Sequence, residues 1–417
     1  MLTFLAPLLL SLHTAPDPVA KATELYWRAE FDSAAPWFPK ALKKRPKDEK
    51  LAFLAAANLR RQGKARECLA MTAPMLERNS CDARALQLRS DVWNPWSNPG
   101  EVDQDADSSR IYNERALACD SMYSDALLTL WVIARRTGDT AAQTSSLRRL
   151  DRQGFWSRSV MSLARWALEA APPRAILITS GDANTYPLYI LQRIHGLRPD
   201  VLILDHNLLN VPEDPINAWT PALAKETGID TAGLRAMADS SLADDADSLD
   251  RDPDAPPVVW IGERILRRLV QGQTGKAPRP VVVVVDQMDL MEARFPGRTQ
   301  VRGPLLAVGT TEMESLQPDS VWAHLKGLDP QAFSGPAMSD LDESPVRRSS
   351  QGHPGQIPQI LAFQVASAKL RDEETKTAGK FLDWIENFNE KSIRYPKFDE
   401  YVTQMRAAIV QVRKRGN

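Results

Sequence analysis

The sequence predicts an α plus α/β protein, in which helical repeats flank a small three-layer unit with a mainly parallel sheet. Three observations predict this fold class. Apolar residues recur at helical spacing from about residue 18 to residue 170. Short aliphatic runs follow at 175–179, 201–205 and 281–285, where they predict buried strands. Helical spacing returns near residue 360, after a segment rich in Ser, Pro and Gly.

The predicted domain organisation follows these changes of pattern. It comprises a signal segment at 1–15, helical repeats at 18–170, an α/β domain at 173–338, a linker at 339–359, and a C-terminal helical pair with its tail at 360–417. The 52 Lys and Arg residues against 53 Asp and Glu leave a net charge of −1, so no basic excess favours nucleic-acid binding. Three cysteines, an odd number, exclude a scaffold built on disulfides.

The N-terminal segment is apolar and uncharged from Leu2 to Leu12, which is too short to span a membrane. An apolar core of this length, followed by small residues such as Ala15, is typical of a secretory signal. No Lys or Arg precedes the core, and His13 stands where a small residue is preferred, so a buried first helix is the alternative. We expect a periplasmic or secreted protein with no membrane span in the mature chain; a cytoplasmic location is the alternative.

The helical region repeats at a period of about 34 residues, which relates Ala29 to Gly63 and Ala34 to Cys68. Small residues at these positions let two helices approach closely, and Phe38 fills the space between them. The pattern resembles the tetratricopeptide repeat family, although any array of helical hairpins would share the alternation. Such arrays present a groove that binds peptides or proteins, so a protein partner is predicted. The same pattern places Cys68 in the core.

An acidic segment between the helices has carboxylates spaced as in a calcium-binding loop. Positions 1, 3, 5 and 12 of such a loop would be Asp103, Asp105, Asp107 and Glu114. Four carboxylates at this spacing could surround one hard cation. Ser108 replaces the glycine that normally makes the sharp turn. The alternative interpretation is an acidic loop whose side chains cap the next helix. Calcium is the one cofactor that the sequence suggests.

The α/β domain begins with a βαβ unit. The strand at 175–179 leads into a polar loop, and Thr185 and Pro187 open a helix that Gly196 ends. A second strand at 201–205 follows, so parallel pairing of the two strands is predicted. Several aspartates crowd 239–254 and predict a solvated loop. A helix at 261–270 then precedes five valines at 281–285, which predict a central strand closed by Asp286.

Three segments of this domain resemble one family. The runs at 179–192 and 196–201, and Leu208-Leu209-Asn210, resemble the soluble domain that follows the membrane part of bacterial protein-O-mannosyltransferase-like proteins. The resemblance covers about 170–310. Asn184 and Arg193 depart from the acidic residues that the family carries there, and these 417 residues contain no counterpart of the membrane-embedded glycosyltransferase part. The resemblance therefore implies a domain of unassigned role rather than sugar transfer.

Polar residues follow the ends of the three predicted strands. Parallel strands bring their carboxyl ends to one side of a sheet, where ligands bind. The candidate ligand-binding residues are Ser180, Gly181, Asp182, Asn184, Thr185, Asp205, Asn207 and Asp286. Their carboxylates could bind sugar hydroxyls, hold a metal or transfer protons, and together with helix N–H groups they suit a neutral polyhydroxyl ligand. The alternative is that Asp182 and Asp205 bond to the local backbone.

No catalytic residue is assigned from the sequence. It contains no phosphate-binding loop, no nucleophile elbow and no histidine pair at metal-ligand spacing. We expect a non-catalytic, extracytoplasmic interaction or scaffold protein that binds a protein partner or a glycan through its helical repeats and its α/β domain. The alternative is a carbohydrate-active enzyme or a glycosyltransferase accessory subunit that uses the acidic strand ends.

Overall fold

The computed structural model of the protein describes residues 16–28, 30–94, 102–103, 105–210, 219–246, 261–271, 273, 278–287, 291–292, 294–309, 317–333, 356–391 and 396–415. The predicted signal segment 1–15 and most of the predicted linker 339–359 lie outside these residues. The described residues form two compact units, one N-terminal to Leu127 and one from Leu127 onward. They confirm the α plus α/β class. Each described helix is too short or too polar to cross a bilayer.

The N-terminal unit consists of helices joined mostly by short turns. They are α1 (Pro18–Trp27), α2 (Phe31–Ala34), α3 (Phe38–Lys44), α4 (Glu49–Arg61), α5 (Ala65–Arg78), α6 (Ala83–Trp93) and α7 (Ala106–Cys119), and α8 (Ser124–Arg136) begins at the end of this unit. Aspartate side chains cap three of them, α4, α6 and α7. The Asp48 carboxylate accepts from the Leu51 N–H in α4, and the Asp82 carboxylate accepts from the Ala85 N–H in α6. Such caps satisfy N–H groups that the helix itself leaves unpaired.

Small side chains fill the contacts between these helices. Ala34, Ala41, Ala56 and Cys68 are fully buried, and Phe38 packs in the same cluster. Small residues let the helix backbones approach closely, whereas larger side chains would hold the helices apart. The burial of Cys68 confirms the prediction from its repeat position. The architecture is that of packed helical hairpins.

A disulfide joins Cys81 to Cys119, although an odd number of cysteines in the sequence gave no sign of a pair. Cys81 lies just before α6 and Cys119 ends α7, so the bond closes the open end of the α6–α7 hairpin. The hairpin brings residues 38 positions apart to a Cα–Cα distance of 5.2 Å. Cys81 is exposed and Cys119 is half-buried. The pairing follows from the packing of the two helices, which the spacing of the cysteines alone does not predict.

The C-terminal unit combines a five-stranded sheet with helices. Its helices after α8 are α9 (Thr140–Arg152), α10 (Arg158–Ala170), α11 (Asp182–Arg193), α12 (Pro221–Thr227), α13 (Thr231–Ala246), α14 (Ile261–Gln271), α15 (Pro318–Leu325), α16 (Gln356–Arg371), α17 (Thr375–Lys391) and α18 (Pro396–Arg415). Its strands are β1 (Ile176–Thr179), β2 (Leu202–Asp205), β3 (Val281–Val284), β4 (Thr299–Arg302) and β5 (Leu305–Val308). The predicted C-terminal helical pair is therefore a group of three helices.

The sheet has the strand order β2-β1-β3-β5-β4. β1 pairs in parallel with β2 and with β3, which confirms the parallel pairing predicted for the first two strands. β5 pairs antiparallel with β3 and β4. This β4–β5 hairpin was not predicted, because β4 is partly exposed and carries only one aliphatic residue. Gly303 makes its two-residue turn possible with a φ of +67°.

Helices cover both faces of this sheet. On one face, Ile178, Leu204 and Val283 pack in one cluster with Leu223 of α12 and Leu266 of α14. On the other face, Val284 lies with side chains of α10, α11 and α16 around a cavity of about 20 Å³. Strands that are buried on both faces are aliphatic at every position rather than at alternate ones. The runs of valine, isoleucine and leucine follow from this placement.

Candidate functional site

The turn between β1 and α11 carries the first group of candidate residues. β1 ends at Thr179, Ser180 follows, and Gly181 adopts a φ of +77° that lets the chain turn directly into α11. Asp182 is exposed in the first turn of α11, where its charge is favourable to the helix dipole. Thr185 follows in the same part of α11 and is 1 % exposed. Asp182 faces water, whereas Thr185 points into the fold.

Asp205, at the end of β2, forms a buried chain of hydrogen bonds with two threonines. Thr185 Oγ1 donates to Asp205 Oδ2 at 2.5 Å and lies 2.7 Å from Thr179 Oγ1. Because the Thr185 proton is directed at the carboxylate, the Thr179 hydroxyl donates to Thr185. The backbone N–H groups of Asn207 and Leu208 donate to Asp205 Oδ1 at 2.7 and 3.3 Å. Asp205, 4 % exposed, thus joins β1, α11 and the turn after β2.

The remaining candidates occupy different environments. Asn184 is buried, and its Nδ2 donates to the Ser180 carbonyl oxygen at 3.4 Å. Asn207 is exposed. The side chain of Asp286 lies outside the described residues. The structure therefore places the residues of 180–185 and 205–207 at one edge of the sheet, and their role in binding a ligand stays a prediction.

Two tyrosines of α11 pack this edge against neighbouring elements. Tyr186 Oη donates to a carbonyl oxygen of α8 at 3.0 Å, and burial raises the pKa of Tyr186 well above its usual value. Tyr189 Oη donates to a carbonyl oxygen of β2 at 2.8 Å and accepts from Arg135 Nη1 at 2.6 Å. The Trp131 ring lies 4.7 and 5.1 Å from the two tyrosine rings. The aromatic residues in the run at 179–192 thus position α11.

A second polar network lies at the opposite, amino edge of the sheet. The Arg198 guanidinium binds the Asp200 carboxylate at 2.9 and 3.0 Å and donates to the Ala171 carbonyl oxygen, just after α10, at 2.7 Å. Arg279, before β3, donates to the Asp200 carbonyl oxygen and pairs with Glu226 of α12 at 3.2 Å. Arg198 and Asp200 lie in the run at 196–201, so this part of the motif is structural.

His206 begins a charged cluster next to Asp205. Arg294 Nη1 lies 3.0 Å from His206 Nε2, and Arg294 Nε lies 2.8 Å from the Glu263 carboxylate. Arg267 pairs with the same carboxylate at 2.8 Å. Burial lowers the pKa of His206, and the positive charge of Arg294 lowers it further. The neutral ring therefore accepts a hydrogen bond from Arg294 through Nε2. These residues lie on separate elements, so their sequence spacing gave no indication of the cluster.

Three of the four carboxylates of the predicted calcium loop bond to groups of α7 rather than converging on one point. Asp105 caps α7, because its carboxylate accepts from the Asp107 N–H at 2.9 Å. Glu114 and Asp107 pair with Arg110 at 2.9 and 3.4 Å, and Asp103 is exposed. Within the described part of the chain, no three His, Cys, Asp or Glu side chains gather in an arrangement able to hold a metal. The described geometry matches the capping alternative, and calcium binding stays a prediction.

The comparison with known families concerns the βαβ unit. Residues 160–213 match the family model of TMEM260-associated domain 2. The TMEM260-associated segment contains most of α10, then β1, α11 and β2, and with them the Thr185–Asp205 chain and the Arg198–Asp200 pair. The match is consistent with the resemblance to the domain of protein-O-mannosyltransferase-like proteins. No curated protein matches the chain.

Proposed function

We propose that the chain is a non-catalytic, extracytoplasmic binding protein whose helical repeats, of the tetratricopeptide type, hold a protein partner or a glycan. The non-catalytic part of the proposal rests on the burial and the hydrogen bonds of Asp205. A general acid, a general base or a metal ligand has to reach its substrate. Asp205 is 4 % exposed, and its oxygens accept from Thr185 and from the turn after β2. This carboxylate supports the fold.

The Cys81–Cys119 disulfide supports the extracytoplasmic part of the proposal. Disulfides persist in oxidising compartments and are rare in the cytosol, where thiols are kept reduced. Cys81 is exposed, so cytosolic reductants would reach the bond. The apolar, uncharged run from Leu2 to Leu12 agrees with the same compartment.

Variants of Asp182 and Asp205, the two strand-end aspartates, test whether the chain acts as a binding protein or as an enzyme. We expect Asp182→Asn to lower the free energy of unfolding by at most about 1 kcal/mol, the size of a helix-dipole interaction, and to leave the capture of a cross-linked partner unchanged, because Asp182 is exposed. Asp205→Asn should lower the free energy of unfolding by about 1–3 kcal/mol, since a buried acceptor is replaced, and should spare partner capture below its melting temperature. Quantitative cross-linking in the extracytoplasmic fraction and urea denaturation give the two readouts.

The same variants can contradict the proposal. A hydrolytic or transfer activity of the wild-type protein on a glycan, lost in Asp182→Asn while the unfolding curve stays unchanged, would establish an enzyme. Alkylation of free thiols in intact cells tests the compartment separately. Cys81 and Cys119 should be protected until a reductant is added.

A second candidate function is an accessory subunit of a glycosyltransferase, and the match of residues 160–213 favours it. In that case the cross-linked partner would be a membrane-bound glycosyltransferase. Deletion of the chain would lower sugar transfer in the cell, and the Asp182→Asn variant would restore it. Failure of Asp182→Asn to restore transfer would assign the catalysis to this chain itself.

A further inference from the structure

The N-terminal unit contains a polar cleft between the start of α2 and the end of α4. We call it the α2–α4 cleft, with a volume of about 420 Å³ and a lining of Glu30, Phe31, Asp32, Ser33, Arg61 and Gln62. Ligand pockets of proteins have volumes of roughly 300–1,000 Å³. The α2–α4 cleft is therefore large enough for a small ligand. It is lined mainly by polar groups, which distinguishes it from a pocket for an apolar compound.

Hydrogen bonds hold the polar groups of the α2–α4 cleft in place. Gln62 Nε2 donates to Asp32 Oδ1 at 2.9 Å. Asn58, one turn earlier in α4, donates through Nδ2 to the Phe31 carbonyl oxygen at 3.2 Å and to Gln62 Oε1 at 3.4 Å. Asn58 is 1 % exposed, so this amide anchors the cleft from inside the unit. The carboxylate and the Gln62 amide are thus oriented before a ligand arrives.

Asn58 also leaves one acceptor unsatisfied beside these residues. Its Oδ1 is buried, and none of the described residues donates to it. A buried acceptor without a donor is destabilising, and such groups usually receive a hydrogen bond from water or from a ligand. Asn58 itself does not line the α2–α4 cleft, so a water molecule inside the unit is the group that would supply this bond. A ligand of the cleft is therefore recognised by the lining residues.

The charged residues that line the α2–α4 cleft are Glu30, Asp32 and Arg61, so its carboxylates outnumber its guanidinium by one. Arg28 offsets part of this difference, because it pairs with Glu30 at 2.7 Å and with Glu24 at 3.3 Å. A highly charged ligand would therefore gain little electrostatic attraction here. The Arg61 guanidinium lies 5.9 Å from the centre of the half-buried Phe31 ring, so a planar polar group lies beside an aromatic side chain. A sugar presents both hydroxyl groups and apolar C–H faces, which match this combination.

We propose that the α2–α4 cleft binds a short, neutral saccharide. Asp32 and Gln62 accept from and donate to vicinal hydroxyl groups, and the Phe31 ring contacts the apolar face of the sugar. This inference rests on the proposed role as a binding protein and names the class of ligand for its N-terminal unit. It assigns the saccharide to the N-terminal unit, whereas the sequence predicted a polyhydroxyl ligand at the strand ends of the α/β domain.

Saturation-transfer NMR on the whole protein tests the inference with defined probes. The probes are the neutral trisaccharides maltotriose, cellotriose, mannotriose and N,N′,N″-triacetylchitotriose, with trilysine as a basic peptide. At least one trisaccharide should receive saturation. Asp32→Ala and Gln62→Ala should each weaken its binding by about tenfold or more, because each removes a hydrogen bond to a ligand hydroxyl. Glu77→Ala removes an exposed carboxylate of α5 in the same unit and should leave binding unchanged.

Each other result overturns the inference. No saturation of any trisaccharide would do so, as would saccharide binding that Asp32→Ala and Gln62→Ala leave intact while circular dichroism shows both variants folded. Binding of trilysine that is lost in Asp32→Ala, without saccharide binding, would assign the α2–α4 cleft to a protein segment. In that case the proposed role as a binding protein would stand, since partner capture is measured independently of these probes.

Discussion

Arg198 joins the end of α10 to the entry of β2 at the amino edge of the sheet. Its guanidinium bonds to Asp200 and to the carbonyl oxygens of Leu168, Ala171 and Pro172 at the end of α10. Its backbone has a φ of +49°, a conformation that side-chain-bearing residues rarely adopt. The bonds hold the residue in this conformation. Arg198 therefore connects α10 to the entry of β2.

We expect Arg198→Ala to lower the free energy of unfolding by about 3 kcal/mol, because several carbonyl oxygens and one carboxylate lose a charged donor together. Arg198→Lys should recover less than half of the loss, since an ammonium group lacks the planar fork. Urea denaturation measures both. Arg165→Ala, an exposed arginine of α10 paired with Glu169 at 3.7 Å, is the matched control and should change stability by less than about 0.5 kcal/mol. An equal effect of the two alanine variants would contradict the structural role of Arg198.

Asp200 makes this network sensitive to acid. The hydrogen bonds from Arg198 hold the pKa of the Asp200 carboxyl well below its usual 3.8, and the Arg174 N–H lowers it further. A carboxyl with a lowered pKa in the folded state contributes stability that is present above 3.8 and is lost as the pH falls below it. We expect the stability difference between the wild type and Asp200→Asn to shrink from about pH 5 to about pH 2 in urea denaturation. A difference that is constant over this range would show that Asp200 is not held by Arg198 as an anion.

At the scale of elements, the α6–α7 hairpin combines a covalent bond with buried polar contacts. The Cys81–Cys119 disulfide closes its open end. Ser90 of α6 and Ser109 of α7 place their hydroxyl oxygens 2.9 Å apart, and Asn113 Nδ2 donates to Ser90 Oγ. All three polar residues are buried. These polar contacts, together with the disulfide, fix the register of α6 against α7.

Reduction of this disulfide should destabilise the N-terminal unit. Closing a loop of 38 residues in the unfolded chain contributes up to about 4 kcal/mol in the chain-entropy account. We expect dithiothreitol to lower the free energy of unfolding toward that amount, with tryptophan fluorescence and urea as the measurement. The Cys81→Ser/Cys119→Ser double variant is the control. It should show the reduced stability at the outset and no response to dithiothreitol; a response would place the effect at another group.

At the scale of the whole molecule, two compact units share one chain, and both carry polar sites that the folded structure holds in place. The α2–α4 cleft lies in the unit before Leu127, and the strand ends of the βαβ segment lie in the unit after it. The ligand proposed for the chain lies in the first of these units, and ligand binding at the strand ends stays a prediction. The proposed function as a binding protein needs no reaction at either place.

The predicted export of the whole chain is tested at its N-terminus. We expect the mature protein to begin near Pro16, with residues 1–15 removed, because a small residue, Ala15, follows the apolar core. Intact-mass spectrometry of the protein purified from the extracytoplasmic fraction measures this, and Cys81 and Cys119 should be oxidised in the same sample. Retention of residues 1–15 together with free thiols at both cysteines would place the protein in the cytoplasm.

The candidate site was predictable only in part. The polar residues after β1 and β2 lie at one edge of the sheet, as parallel pairing requires. The sequence could not show that Asp205 is buried against Thr185. An aspartate that follows a strand can equally well bind a ligand or accept hydrogen bonds from the neighbouring chain. No pattern in the sequence indicated the His206–Arg294–Glu263 cluster. Its residues come from the end of β2, the segment before β4 and the first turn of α14, which are far apart in the sequence.

The sequence by itself determined the class of the protein, the βαβ unit and the burial of Cys68. These features follow from local patterns. A strand covered on both faces has aliphatic residues throughout, and two helices that pack closely have small side chains where they meet. Only the tertiary structure decided the Cys81–Cys119 bond, the β4–β5 hairpin and the contacts of Arg198. Each of these depends on which distant segments meet, and a polar side chain or a cysteine takes its role from the partner that the fold brings within bonding distance.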